Sequence, residues 1–192
     1  MMRAASTMMR RLRGFLRAQG GTAAVEFALI LPVMLAVYIG TVEASALIST
    51  DRKVQSVAGA VGDLVARVEG EVTTAQLEDY FQAAAGIMTP MDTNRVRQVV
   101  TAIAVTEDGE TRVVWSRQYD GHTTSASTPY AVGDEYPLPD AMTNIARGQM
   151  VIAGEAIYPA YTPIFGIVFD EPVTLYRSSF FLPRFGGTIR VN

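Results

Sequence analysis

The chain has 192 residues, of which 49% are hydrophobic and 18% charged, and its formal net charge is −3 at pH 7. It has no cysteine, which excludes a disulfide framework and a thiolate metal site, and a single histidine, His122, excludes a metal motif with two histidines. Residues 1–25 contain five arginines and no acid, so this segment carries +5 and the rest of the chain −8. A basic arm can bind nucleic acid, but an apolar run follows this one directly, which favours insertion into a membrane.

The apolar run extends from Phe27 to Val42, sixteen residues without a charge. One interpretation is a cleaved secretory signal, because residues 44–46 read Ala-Ser-Ala, but cleavage there would remove 46 residues, more than the usual ~15–30. A second interpretation is a single-pass membrane anchor, which needs about 17–25 residues. Extending the run back to Thr22 reaches this length and places Glu26 near the membrane interface, where its side chain can reach water.

The spacing from Gly21 to Glu26 allows a third interpretation. A basic leader, a glycine, four further residues, a glutamate, an aromatic residue and an apolar helix resemble the processing site of type IV prepilins. The resemblance implies a membrane peptidase that cuts after Gly21 on the cytoplasmic side, so that Thr22 becomes the first residue of the mature chain, Glu26 the fifth and Phe27 the sixth. Small Gly20 and Gly21 would let an extended backbone enter the protease cleft. Glu26 would then pair with the α-amine of a neighbouring subunit, because either charge left alone in an apolar stack is costly.

The apolar run continues into a predicted helix that reaches Val68. Beyond the run, apolar residues recur every three or four positions and form one stripe: Val54, Val57, Val61, Leu64 and Val68. A helix from Thr22 to Val68 would be about 70 Å long at ~1.5 Å per residue. Pro32 predicts a kink, and Gly40, Gly59 and Gly62 weaken the helix, so two separate helices are the alternative.

The next segments predict a second helix and a hairpin. In "TTAQLEDYFQAAAG", Thr73 and Gln76 form a capping box and Gly86 ends the helix. In residues 95–119, two β-branched runs flank Asp108-Gly109, which is a strong hairpin signal. We expect one face of the second strand to carry Val113, Trp115 and Tyr119.

A polar loop follows at residues 121–139, then a short helix at 139–148 and two strands at 149–158 and 172–182. Between these strands, Tyr158, Tyr161, Phe165 and Phe169 could form an exposed subunit contact or pack onto the sheet. The order of elements predicts an α+β fold, with an antiparallel sheet of about four strands packed on helices. The predicted divisions are a basic leader at 1–21, a membrane-spanning helix at 22–43, a helical extension at 44–68 and the α+β domain at 69–192.

The sequence contains no recognisable set of catalytic residues, and an enzyme is not predicted. The serines lack a histidine base except His122, which lies in the polar loop and is expected to be solvated. Two adjacent acidic pairs, at 134–135 and 170–171, would point in opposite directions on strands and indicate loop solvation rather than acid–base catalysis. We predict no metal site, cofactor, small-molecule substrate or nucleic-acid partner.

The N-terminal motif "GGTAAVEFALILP" strongly resembles that of TadE-like proteins of the tight-adherence (Tad) pilus system, which are pseudopilins or minor pilins. Looser similarity continues in "VVWSR", "GEAIYPAYTPIFG" and "FLPRFGG". Many pilins of this kind have tyrosine after the glutamate, where this chain has Phe27. Major Tad pilins are short, so the long C-terminal part of this chain indicates a minor or accessory component.

The resemblance implies a single-pass protein of a bacterial inner membrane, with the leader in the cytoplasm and the α+β domain in the periplasm. It is also compatible with incorporation into a surface pilus. Its implied partners are a Tad prepilin peptidase, other Tad pilins or pseudopilins and the assembly-platform proteins. The resemblance also implies a function in the assembly of an adhesive pilus. Gly21, Thr22 and Phe27 would take part in processing, and Glu26 would take part in subunit pairing. The alternative function is a single-pass, membrane-anchored periplasmic domain that binds a ligand or acts as a sensor.

Overall fold

The computed structural model describes residues 20–163, 165–166 and 171–192. Most of the predicted leader, residues 1–19, and Phe169 of the predicted aromatic contact lie outside the described residues. The elements in chain order are α1 (Gly20–Ala66), β1 (Glu71–Val72), α2 (Thr74–Ala85), β2 (Arg97–Val105), β3 (Thr111–Tyr119), β4 (Thr124–Ser125), α3 (Asp140–Ile145), β5 (Met150–Tyr161), β6 (Val173–Phe181) and β7 (Arg190–Val191). Together they confirm the predicted α+β class.

Helix α1 is a single helix of 47 residues, so the alternative of two separate helices is wrong. It remains helical through Pro32. Its residues 21–38 are all exposed, whereas its C-terminal half has one buried face. Val54, Val57 and Val61 are fully buried as predicted, but Val65 takes the next core position and Leu64 is only partly buried, because the buried stripe continues by a step of four residues rather than three.

Helix α2 forms from the local signals that predicted it. The Thr73 hydroxyl accepts a hydrogen bond from the backbone N–H of Gln76 at 3.2 Å, and the Gln76 side chain accepts one from the backbone N–H of Thr73 at 2.9 Å. This reciprocal capping box satisfies two N–H groups that a helix start otherwise leaves unpaired. Leu77 and Phe81 on its inner face are fully buried.

The central sheet has five antiparallel strands in the order β4-β3-β2-β5-β6. The predicted hairpin is β2–β3, and the prediction of about four strands differs from the structure only by the two-residue edge strand β4. A separate parallel pair joins β1 to β7, with Glu71 opposite Arg190. Two residues per strand are too few for a periodic pattern, so sequence analysis missed this pair.

The two faces of the sheet pack against different parts of the chain. One face, with Val100, Trp115 and Ile152, packs against α1 and α2, and the other packs against the 121–139 loop and α3. The prediction that Val113 shares a face with Trp115 and Tyr119 is wrong. The register shifts between Ala102, which faces Trp115, and Ile103, which faces Val113, so one extra residue stands between these positions of β3 and reverses the alternation.

Two glycines allow the C-terminal half of α1 to lie directly on the sheet. A Cβ atom added to Gly154 of β5 would stand 2.4 Å from the backbone oxygen of Ala58 and 2.9 Å from the nitrogen of Gly62. A Cβ atom on Gly62 would stand 2.8 Å from the ring of Phe181. Sequence analysis treated Gly62 only as a weakness of the helix, but it is part of the helix–sheet contact that holds α1 in place.

Candidate assembly site on the N-terminal helix

The predicted site residues all lie on the exposed N-terminal part of α1, residues 21–38, which we call the arm. These eighteen residues make no buried contact with the domain and extend for about 27 Å at ~1.5 Å per residue. Within the part of the chain that the structure describes, α1 is the one helix long and apolar enough to cross a membrane. The length of the arm is close to the ~30 Å thickness of a bilayer's hydrocarbon core, so the helix fits a single-pass anchor.

Packing within the described structure does not require a glycine at position 21. A Cβ atom added there would meet nothing within 4 Å, and glycine costs a helix about 1 kcal/mol relative to alanine. Gly20 and Gly21 are helical here, whereas the sequence interpretation expected extended backbone in a protease cleft. Cleavage after Gly21 would therefore require the first turn of α1 to open, and the two glycines lower the cost of that opening.

Thr22, Glu26 and Phe27 follow on the same exposed arm. No side chain among the described residues makes a hydrogen bond or ion pair with the Glu26 carboxylate. The ring of Phe27 is also exposed. The described residues therefore give Glu26 no stabilising partner. A partner for this charge would have to be another molecule or residues that the structure does not describe.

A second glutamate, Glu43, lies where the arm joins the domain, and sequence analysis did not single it out. It is the first buried residue of α1, with no exposed surface. Its Oε1 accepts hydrogen bonds from the backbone N–H groups of Phe165 at 3.2 Å and of Gly166 at 2.8 Å. The signal that could have found it is its position, because it is the first charge after the uncharged run.

The described aromatic residues of the predicted contact do not all follow the same alternative, packing onto the sheet or exposure for a subunit contact. Tyr158 and Tyr161 are buried in the core, as the packing alternative expects, whereas Phe165 is 54% exposed. The guanidinium of Arg95 lies over the ring of Tyr158, 5.6 Å from its centre. Phe165 is therefore the described member of this set that remains available for a contact outside the chain.

A buried polar cluster lies on the sheet face opposite α1. The Glu155 carboxylate is buried and accepts hydrogen bonds from the hydroxyls of Tyr130, at 3.2 Å, and of Tyr136. Burial and the negative charge of Glu155 raise the pKa of both phenols well above the usual value, so they stay protonated and donate. The cluster fixes the 121–139 loop to β5.

The described residues contain no group of three or more histidine, cysteine, aspartate or glutamate side chains that could hold a metal ion. His122 is exposed, and its backbone N–H donates to the Asp120 carboxylate at 2.9 Å. Asp134 and Glu135 are both exposed, in keeping with loop solvation, and of the second acidic pair only Glu171 is described.

The model of the TadE-like protein family matches residues 21–62. Comparisons with curated proteins and with solved structures gave no match. The matched region covers the whole arm and the part of α1 that crosses the sheet as far as Gly62, and it does not include the strands of the domain. The N-terminal helix of this chain is therefore TadE-like, which supports a role related to the Tad pilus and the membrane.

Proposed function

We propose that the chain is a membrane-anchored minor pilin or pseudopilin that acts in the assembly of a Tad-type adhesive pilus. The observation that carries the proposal is the division of α1 into two halves. Its C-terminal half is part of the core of the domain, whereas its TadE-like N-terminal half projects as an exposed apolar arm. Such an arm can span a membrane and can later pack against equivalent arms of other subunits.

In this proposal a Tad prepilin peptidase removes the leader after Gly21 and leaves a new α-amine on Thr22. The leader arginines stay in the cytoplasm, because positive charge is retained on that side, and the α+β domain lies in the periplasm. Other Tad pilins and the assembly platform are the partners. The chain contributes a subunit contact, and the proposal assigns it no catalytic step.

Glu26 is the residue proposed to set the position of one subunit relative to the next. Its carboxylate pairs with the Thr22 amine of a neighbouring arm. Removing one partner of a buried ion pair typically costs about 3–5 kcal/mol, which is more than a hundredfold in an association constant. Glu26→Gln should therefore sharply lower pilus yield.

The matched control is Glu26→Asp, which keeps the negative charge at the same position. Because no described side chain pairs with Glu26, both variants should unfold at the temperature of the unmodified protein and reach the membrane in the same amount. The measurement is pilus yield together with membrane level and processed mass. Normal pilus yield from Glu26→Gln would contradict the pairing, and Glu26 would then be an ordinary interfacial residue.

A further inference from the structure

The two glutamates of the N-terminal helix mark the ends of its uncharged segment. Glu26 precedes and Glu43 follows the sixteen uncharged residues from Phe27 to Val42. These sixteen residues span about 24 Å, and a hydrocarbon core of ~30 Å centred on them would extend about two residues beyond each end. Both carboxylates therefore lie at a membrane boundary if α1 spans the bilayer.

Two described residues between β5 and β6, Phe165 and Gly166, lie at the level of Glu43. The backbone N–H groups of Phe165 and Gly166 both donate to Glu43 Oε1, at 3.2 and 2.8 Å. Helical side chains lean toward the helix N-terminus, so this carboxylate lies on the membrane side of its own Cα atom. The loop amides take the place of water around a charge that would otherwise be costly at the edge of a bilayer.

The ring of Phe165 is attached to one of these two donors and is 54% exposed. An exposed phenylalanine at this level faces the region between lipid headgroups and acyl chains, where apolar side chains of surface-bound segments insert. The domain has another exposed phenylalanine, Phe185, at its opposite end. The backbone N–H of the preceding residue, Arg184, donates to the carbonyl oxygen of Ala66 at 2.8 Å, and Ala66 lies about 35 Å beyond Glu43 along α1.

We propose that Phe165 is a second membrane contact of this protein, inserted into the headgroup–acyl boundary of the same bilayer that α1 crosses. The inference rests on the proposed membrane anchoring. Glu43 acts as a positioning residue, because it holds the loop backbone at the point where the helix leaves the bilayer. With two contacts, the domain rests against the membrane surface, which restricts the tilt of α1 relative to the bilayer.

The absence of cysteine from the chain allows a direct test with single cysteine variants. Phe165→Cys reports on the proposed contact, and Phe185→Cys is the matched control, because both replace an exposed phenylalanine of the same domain. Leu35→Cys, in the middle of the uncharged segment from Phe27 to Val42, reports on the membrane anchor itself. Each full-length variant is labelled with a fluorophore and placed in two kinds of phosphatidylcholine nanodisc. In one, a fraction of the lipids carries a nitroxide near the headgroup, which reports on position 165; in the other, the nitroxide is near the end of the acyl chain, which reports on position 35 at the middle of the bilayer.

We expect nitroxide lipids to quench the fluorophore at positions 35 and 165 several-fold more than at position 185. Quenching at 35 with equal, weak quenching at 165 and 185 would overturn the second contact and leave the membrane anchor intact. Weak quenching at all three positions would overturn the anchor, and the second contact with it. Unchanged fluorescence of the single tryptophan, Trp115, which is buried in the core, verifies that each variant is folded.

Discussion

Because α1 lies so close to the sheet, we predict that Gly154→Ala destabilises the fold. The new methyl group would stand 2.4 Å from the oxygen of Ala58 and 2.9 Å from the nitrogen of Gly62. Both atoms belong to the helix backbone, so no side-chain rotation relieves the overlap, and α1 must move away from β5 by about 1 Å to restore an ordinary contact. Overpacking of this kind costs about 1–3 kcal/mol, and we expect a value near 3 kcal/mol.

Thermal unfolding of the full chain in detergent, followed by the fluorescence of Trp115, measures this cost. For a domain of this size, about 3 kcal/mol corresponds to a loss of roughly 6–12 °C in Tm. The matched control is Gly59→Ala on the same helix, because its methyl group would meet only the Ser179 hydroxyl, at 3.8 Å. Gly59→Ala should raise stability by up to about 1 kcal/mol, since alanine favours the helix.

A third variant lies between these two. Gly62→Ala would place its methyl group 2.8 Å from the ring of Phe181, and that ring can turn away, so we expect a smaller loss than for Gly154→Ala. An unchanged Tm for Gly154→Ala, or a lower Tm for Gly59→Ala than for Gly154→Ala, would refute the described packing of α1 on β5.

Two further predictions concern stability. Thr73→Ala removes the hydroxyl that caps α2 and should cost about 1 kcal/mol, measured by denaturant unfolding, and an unchanged midpoint would contradict the role of the capping box. A hydrogen bond from Arg67, helped by Arg184 at 2.6 Å and opposed by partial burial, holds the pKa of Asp63 below its ordinary value of 3.8. Asp63 therefore stabilises the fold above pH 4, and this stabilisation is lost as the pH falls through the lowered pKa. Asp63→Asn should lower stability at pH 7 by at most about 1 kcal/mol, because both arginines are half exposed. This difference should shrink as the pH falls below 3.8 and through the lowered pKa of Asp63; a difference that grows on acidification would contradict this assignment.

Local signals predicted the elements that local contacts determine. The capping box at Thr73 depends on residues three positions apart, and the β2–β3 turn depends on Gly109, whose φ of 91° suits glycine. The extra residue in β3 could not be predicted, because it depends on how β3 pairs with β2 and leaves no mark in the alternation of side chains.

The residues of the candidate site also differ in whether the sequence alone could reveal them. Glu26 and Gly21 were found because they stand at a fixed spacing beside an uncharged run. The contact of Glu43 with the β5–β6 loop joins residues more than 120 positions apart, so only the folded structure shows it. The same holds for Gly154, which reads as an ordinary strand glycine until α1 is seen lying against it.

The central claim is that this chain is processed and anchored as a pilin-like subunit, and the mature N-terminus tests it most directly. The measurement is intact mass and N-terminal sequencing of the full chain, extracted from membranes of cells that contain the cognate prepilin peptidase, beside the Gly21→Phe variant. The account predicts a mature chain that begins at Thr22, and an unprocessed chain when phenylalanine fills the position of Gly21. A mature chain that begins at Leu47, or one that retains Met1 in the presence of the active peptidase, would contradict it.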